Sequence, residues 1–474
     1  MLTIRCIGHT CFYQISDIVR LFTGIIPTEK DGCILSDVPY SATIESISEG
    51  PRVVTRLVEG FPELSPEDRS IETVPELPVS REVKRQLYIL LSKMLEVHYP
   101  WGSLTGIRPT QVAGEVEKAE DLSRIYNVRE DKAELAFLTH QEEERILSDS
   151  KEESLHIYIG IPFCPSRCAY CSFVAQEAPK KRDLLPSYVD AVLSELDLVL
   201  PNITHPIETL YIGGGTPTVL DEALFERFIT GVFSHPELKD VKEVTVEAGR
   251  PDTITEAKLQ TLRKAGITRI CINPQTLCDA TLLRVGRKHT AKDFEDAFQL
   301  ARKMGFAVIN TDLIAGLPKE TPEEFCDSLS RIIELGPENI TVHSLSKKRR
   351  SDLSREEIVM LQKEDLSKME KMLTFASSVL SKAGYVPYYL YKQKDTLGGH
   401  ENVGYQKGNT GCLYNVAMMG DKRSVLSFGA GGMSKRIFPS DGQVRIERCP
   451  CVKEPTQYIR SIEEIAQKKI RFFE

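Results

Sequence analysis

The chain has 474 residues, which at roughly 150 residues per domain leaves room for about three domains and excludes a small stapled scaffold. Lys+Arg 60 against Asp+Glu 68 give a formal charge of −8, and 41% hydrophobic with 27% charged residues is the composition of a globular protein rather than a disordered one. The acidic balance argues against a nonspecific nucleic-acid binder, which needs a basic face to neutralise phosphates.

No run of about 18 apolar residues occurs, so no membrane span is expected. The first twenty residues carry Arg5, Asp17 and Arg20 and lack the apolar centre of a signal peptide. The expected location is therefore cytoplasmic, where the 12 cysteines stay reduced and serve as buried, reactive or metal-bound thiols.

Residues 1–75 alternate apolar and polar residues in short runs, as in Ala42-Thr43-Ile44-Glu45-Ser46-Ile47, and predict a small β-rich module. Pro62 to Pro78 reads as a linker. A helix is expected from Arg81 to Val97, on Leu87, Leu90, Leu91 and Met94, and helical spacing resumes from Thr110 to Ser148, which makes 76–150 a helical connecting segment.

From 151 to 350 the pattern changes to strands alternating with amphipathic helices. Strands are predicted at His156–Pro162, Thr209–Gly213, Glu243–Glu247, Arg269–Asn273, Ala307–Ile314 and Asn339–Leu345. Helices are predicted between them at Leu185–Val199, Asp221–Phe233, Glu256–Ala265, Ala291–Met304 and Pro322–Leu335. Such alternation implies an α/β fold with a parallel sheet and right-handed crossovers, and six strands make an incomplete (β/α)6 barrel rather than a closed one. A long helix, Ser354–Ala383, and a mixed tail with glycine-rich loops at Gly398-Gly399 and Gly429-Ala430-Gly431-Gly432 complete a C-terminal region, 351–474, expected over the barrel mouth.

The strongest chemical signal is Cys164-Pro165-Ser166-Arg167-Cys168-Ala169-Tyr170-Cys171, directly after the first of the six strands. Three thiolates at C-x3-C-x2-C spacing suit a [4Fe–4S] cluster with one iron left open. Zinc usually takes four protein ligands at other spacings and is the weaker metal reading. Unligated buried cysteines are the remaining alternative.

This loop, with an aromatic before the third Cys, resembles the radical S-adenosylmethionine (SAM) superfamily. Tyr158-Ile159-Gly160-Ile161-Pro162-Phe163 ahead of the first Cys narrows the resemblance to the oxygen-independent coproporphyrinogen III dehydrogenase family. The N-terminal extension and Trp101-Gly102-Ser103-Leu104-Thr105-Gly106-Ile107-Arg108-Pro109 resemble its HemZ-like branch, over at least residues 80–440. The implied fold is a radical SAM partial (β/α)6 barrel with an N-terminal α+β extension and a C-terminal mixed α/β tail.

The resemblance implies site roles residue by residue. Gly213-Gly214-Gly215-Thr216 would hold the methionine part of SAM, Glu247 its ribose, and Gln275, Arg287 and Asp312 further parts of SAM. Glycines there also allow close backbone approach and expose main-chain polar groups. Tyr158 matches an active-site tyrosine near the substrate, or else is a strand-packing aromatic. Gly160 stands where the best-known branch has histidine, and Phe173 where it has a non-ligating cysteine.

Lys347-Lys348-Arg349-Arg350 reads either as a solvated loop or, through Lys348 or Arg349, as a clamp for substrate carboxylates; Arg108 is a further candidate clamp. His343 reads as a hydrogen-bonded strand histidine. Glu401-Asn402-Val403-Gly404-Tyr405 and Gly429–Gly432 either line a porphyrin site or form turns. Cys449-Pro450-Cys451, Cys271 and Cys278 read as core or incidental thiols.

The implied activity is oxidative decarboxylation of coproporphyrinogen III to protoporphyrinogen IX in haem biosynthesis, by a 5′-deoxyadenosyl radical. Implied cofactors are a [4Fe–4S] cluster and SAM. Implied partners are the porphyrinogen and a low-potential electron donor such as a flavodoxin or ferredoxin, with neither nucleic acid nor membrane. The rival readings are haem binding and delivery, or methyl transfer to a tetrapyrrole.

Overall fold

The computed structural model describes every residue except 74–76, 107, 172–175, 347–362, 394–395 and 441–442. The chain forms two compact units, Met1–Leu138 with Lys392–Glu401, and Thr139–Tyr391 with Asn402–Glu474. This partition is coarser than the four segments expected from the sequence.

The first unit begins with β1 (Leu2–Ile7), α1 (Phe12–Thr23), β2 (Thr28–Lys30), β3 (Cys33–Ser36), β4 (Ala42–Glu49), β5 (Arg52–Glu59) and β6 (Ser70–Thr73). The strands form one sheet in the order β2-β3-β1-β4-β5-β6, in which only β1 and β4 run parallel. Period-two burial fixes the inner face: β4 buries Ala42, Ile44 and Ser46 and leaves Thr43 and Glu45 partly exposed. That face meets Ile15, Ile18 and Val19 of α1 and Val83, Leu87, Leu90 and Leu91 of α2 (Val79–Leu95). The module is thus α+β. The expected linker Pro62–Pro78 contains a 3-10 turn, Pro66–Arg69, and strand β6.

Helices α3 (Pro109–Ala113), α4 (Ala119–Tyr126) and α5 (Glu130–Leu147) follow. The Trp101 run has a structural anchor: the Trp101 indole donates to Glu401 at 2.7 Å, and Lys132 holds the other carboxylate oxygen at 2.6 Å. All three side chains are buried, so charge and indole N–H are satisfied together.

The second unit is built on β7 (Leu155–Ile161), the short pair β8 (Phe163–Cys164) and β9 (Gln176–Glu177), β10 (Ile207–Gly214), β11 (Glu243–Glu247), β12 (Arg269–Cys271), β13 (Val308–Ala315), β14 (Asn339–Ser344), β15 (Val386–Lys392), β16 (Glu401–Gln406), β17 (Ser424–Phe428), β18 (Met433–Ser440) and β19 (Gln443–Pro450). Eleven of these form one sheet, β15-β16-β14-β13-β12-β11-β10-β7-β17-β18-β19. The six expected strands stand side by side and parallel, but the sheet extends past them: β17 pairs parallel with β7, and β16 pairs antiparallel with β14. Glu401–Tyr405 is therefore buried strand rather than a turn.

The crossover helices α6 (Leu185–Val199), α7 (Glu222–Val232), α8 (Glu256–Lys264), α9 (Asp279–Arg284), α10 (Ala291–Lys303) and α11 (Pro322–Leu335) carry apolar stripes such as Phe294, Ala297, Phe298 and Ala301. Thr290 and Thr321 start α10 and α11 with capping boxes. Helix α12 is described from Lys363 to Lys382; the start expected at Ser354 lies outside the described residues. Helices α13 (Leu413–Met419), α14 (Pro455–Arg460) and α15 (Ile462–Phe473) complete the chain. No helix among the described residues is long and apolar enough to cross a membrane.

Candidate active site at the carboxyl ends of the parallel strands

Cys164 ends β8, and Cys168 and Cys171 follow in the next loop, all three outside any disulfide. The loop is pinned from several sides. Ala169 N–H donates to Val285 O (3.0 Å), Ser166 Oγ to Gly286 O (3.3 Å) and Cys171 N–H to Cys168 O (3.0 Å). Burial pushes the Cys164 thiol up to about 11, helped by Cys171 and Cys168 and opposed by the Thr216 hydroxyl at 3.7 Å. Among the described residues no three His, Cys, Asp or Glu side chains converge on one ion-sized point. A four-iron cluster is a broader body and spaces its thiolates more widely than an ion does.

Beneath the loop, Gly215 N–H donates to Ile161 O (2.9 Å) and Thr216 N–H to Phe163 O (2.8 Å). A Cβ on Gly215 would lie 2.5 Å from Phe163 O, and Gly214 has φ +111°, so only glycine fits this cradle. Glu247, the last residue of β11, accepts from Tyr211 OH (2.7 Å) and Gly214 N–H (3.2 Å). Burial pushes its carboxyl up to about 7, the Asp312 charge adds to this, and the two hydrogen bonds oppose it.

Gln275 takes φ +71° and ties the loop after β12 to β13, its N–H donating to Asp312 O (3.0 Å). Asp312 accepts from Asn310 Nδ2 (2.8 Å) and lies 3.7 Å from His343 Nε2, while Tyr391 OH is 3.4 Å from His343 Nδ1. Arg287, 4% exposed, donates to Tyr170 OH (3.1 Å), Gly249 O (2.9 Å) and Asn273 O. Three buried polar atoms along this wall, Asn273 Oδ1, Gln275 Oε1 and Arg287 Nε, have no hydrogen-bond partner among the described residues. Buried orphans of this kind are costly unless a ligand satisfies them. Two acceptors, one donor, a glycine cradle and three thiols fit a polar ligand beside an iron–sulfur cluster.

Tyr158 projects from β7 into a stack with Tyr211 (6.3 Å) and Tyr414 (6.4 Å), and the last two rings lie 4.6 Å apart. Gly160 makes room for it: a Cβ there would lie 3.2 Å from the Tyr158 ring. The sequence reading missed Tyr211, Tyr414, Asn273 and Arg250. Arg250 lies three residues beyond Glu247 with Asp252 close behind, a spacing that places a cation and its carboxylate partner at a strand end. Cys271 is buried beside Tyr211, and Cys449 and Cys451 are buried as well. Arg108 is half-buried at the N-terminus of α3 in the first unit. Lys348, Arg349 and Phe173 lie outside the described residues.

Comparison with known proteins follows the same lines. Residues 158–332 match the model of the radical SAM superfamily. The chain is 35% identical over 417 residues, 83% of its length and 82% of the relative's, to the "oxygen-independent coproporphyrinogen-III oxidase-like protein HemZ" of Bacillus subtilis. It is 28% identical over 65% of its length, and 76% of the relative's, to the "heme chaperone HemW" of Haemophilus influenzae. Among solved structures, coproporphyrinogen III oxidase (HemN) of Escherichia coli shares the fold, with TM-score 0.52 and 22% identity over 70% of this chain and 73% of that one. The chain belongs to the radical SAM superfamily, whose cofactors are a [4Fe–4S] cluster and S-adenosylmethionine, and within it stands with the HemZ-like relatives of HemN and HemW.

Proposed function

We propose that this protein is an oxygen-independent coproporphyrinogen dehydrogenase on a partial (β/α)6 barrel, converting two propionates of coproporphyrinogen III to the vinyl groups of protoporphyrinogen IX. The observation that carries the reading is the 35% identity to the HemZ protein over 83% of the chain, far beyond the 158–332 segment common to the superfamily.

In this reading Cys164, Cys168 and Cys171 hold the cluster, and the missing fourth thiolate leaves one iron for SAM. The Gly213–Thr216 backbone receives the methionine part of SAM, Glu247 a ribose hydroxyl, and Gln275, Arg287 and Asp312 the remaining polar groups. When bound, these cofactors supply an organic radical that takes a hydrogen atom from the propionate carbon next to the macrocycle, after which carbon dioxide and one electron leave. Tyr158 acts on the substrate side. Burial raises its pKa well above 10, so its hydroxyl stays protonated as a hydrogen-bond donor.

A tetracarboxylate must be held in register for one carbon to react, and Lys348 and Arg349 are the proposed cationic partners. A low-potential flavodoxin or ferredoxin would supply the electron for SAM cleavage. Neutralising a true clamp weakens porphyrin binding and leaves SAM affinity unchanged. Anaerobic turnover of coproporphyrinogen III, followed by mass spectrometry, tests the reading.

A second reading is favoured by one observation, the similarity to proteins described as haem chaperones. It makes the chain a haem-binding and haem-delivering protein. It predicts tight haem binding and no carbon dioxide release in the same assay.

A further inference from the structure

The loop that carries the three cysteines is gripped by one buried arginine. Arg250 is 3% exposed, and its guanidinium reaches Cys168 Sγ at 3.6 Å, Ser166 O at 3.4 Å and Ser166 Oγ at 3.1 Å. Its other edge is fixed by Asp252, through Nε at 3.1 Å and Nη2 at 3.2 Å. The backbone is fixed as well. Pro251–Thr253 forms a 3-10 turn, Thr253 donates to Arg250 O through both N–H (3.0 Å) and Oγ (2.8 Å), and Lys258 Nζ donates to Thr253 O at 3.0 Å. A planar fork held on both edges loses little freedom on binding, so the charge is preorganised toward the sulfur.

We propose that Arg250 is a positioning residue that sets the reduction potential of the cluster, with Asp252 as its counterweight. The inference rests on the reading that Cys164, Cys168 and Cys171 hold that cluster. Hydrogen bonds to ligand sulfurs and nearby charge are among the main determinants of iron–sulfur potentials. One-electron reduction adds a negative charge to the body held by the three thiolates. A buried guanidinium donating to Cys168 Sγ therefore favours the reduced form and raises the potential, and a carboxylate behind it damps the effect. The consequence is functional: a higher potential brings the cluster within reach of a weaker electron donor.

The test is an EPR-monitored redox titration of the full-length, reconstituted protein without SAM, using dithionite as reductant, with iron and sulfide counted in each sample. In Arg250→Gln the reduced form is disfavoured about tenfold, a fall of about 59 mV for a one-electron couple. Arg250→Lys, which keeps the charge and loses the fork, falls by less. Asp252→Asn moves the other way, because the guanidinium is then uncompensated. Damage to the loop alone would shift both Arg250→Gln and Asp252→Asn in one direction, so opposite signs are the signature of the charge. If Arg250→Gln fails to retain iron, the Asp252→Asn variant decides. Unchanged potentials in cluster-loaded variants, or shifts of the same sign, overturn the role of Arg250 while leaving the cluster assignment standing. A wild-type protein that assembles no cluster removes both.

Discussion

Glu247 and Glu320 show how burial sets the behaviour of single carboxyls. Glu247 ends a strand with its two oxygens engaged by Tyr211 OH and Gly214 N–H. A carboxylate hydrogen bond in such a pocket is worth about 1.5–3 kcal/mol, so Glu247→Gln should weaken SAM binding by roughly ten- to a hundredfold. Calorimetry on cluster-loaded protein checks this, and normal SAM affinity with lost porphyrin affinity would put Glu247 on the wrong ligand. Glu320 is 6% exposed, accepts from Thr276, and leaves Oε2 without a partner among the described residues; burial pushes it up to about 7. The folded state then keeps a proton that the unfolded chain releases near about 4.3, so stability falls as pH rises from there to about 7. Glu320→Gln removes that contribution, and its melting temperature should drop less than the parent's between pH 4 and pH 8. Equal drops would mean that Glu320 is not protonated in the fold. At this scale the roles proposed for Glu247, Gln275, Arg287 and Asp312 were readable only through the family resemblance, since Glu247 ends a strand and Asp312 lies within one, and a polar residue in either place can be structural. Arg250 was not readable, because its partners lie at Ser166, Cys168 and Asp252, and the first two are brought to it only by the fold.

Elements position these residues, and two of them are sensitive to one atom or one charge. Gly215→Ala would drive a methyl group into the Phe163 backbone, which cannot give way as a flexible side chain can. The expected cost is about 1–3 kcal/mol with reduced iron retention, measurable by denaturant unfolding and iron assay. Undiminished stability and iron content would show that the cradle tolerates a side chain. Helices α14 and α15 are fastened by a buried network in which Glu195 accepts from Lys469, Tyr458 OH and Gly429 N–H, the last at 3.0 Å. Lys469→Met strands the Glu195 carboxylate, which is fully buried, and should cost about 3–5 kcal/mol. The paired change Lys469→Met with Glu195→Leu should recover much of that loss, and no recovery would mean that the network is not held by charge. The strands of the parallel run were legible to within a few residues because long apolar runs alternate with strongly patterned, capped helices. Helix α1 was missed although Ile15, Ile18, Val19 and Phe22 recur at helical spacing; its N-cap, Cys11, makes no side-chain cap bond and gives no start signal. Strand β17 was missed because its pairing with β7 is non-local, and nothing in its five residues reveals the partner.

For the whole molecule, the site draws on the ends of several parallel strands and on the loops that follow them, so its parts are far apart in the chain and meet only in the folded second unit. The C-x3-C-x2-C spacing drew attention to the cysteine loop, and the family resemblance supplied the cluster reading. The wall of unpartnered polar atoms was not legible, since a hydrogen-bond vacancy is a property of packing. The central claim is that this assembly performs radical decarboxylation of a porphyrinogen, and one anaerobic assay meets it directly. Reconstituted protein is supplied with SAM, a low-potential reductant and coproporphyrinogen III, and the products are read by mass spectrometry. The account predicts protoporphyrinogen IX, carbon dioxide and SAM cleavage, all lost in Cys168→Ala. Tight haem binding with no carbon dioxide released by the fully reduced, SAM-supplied protein would contradict it.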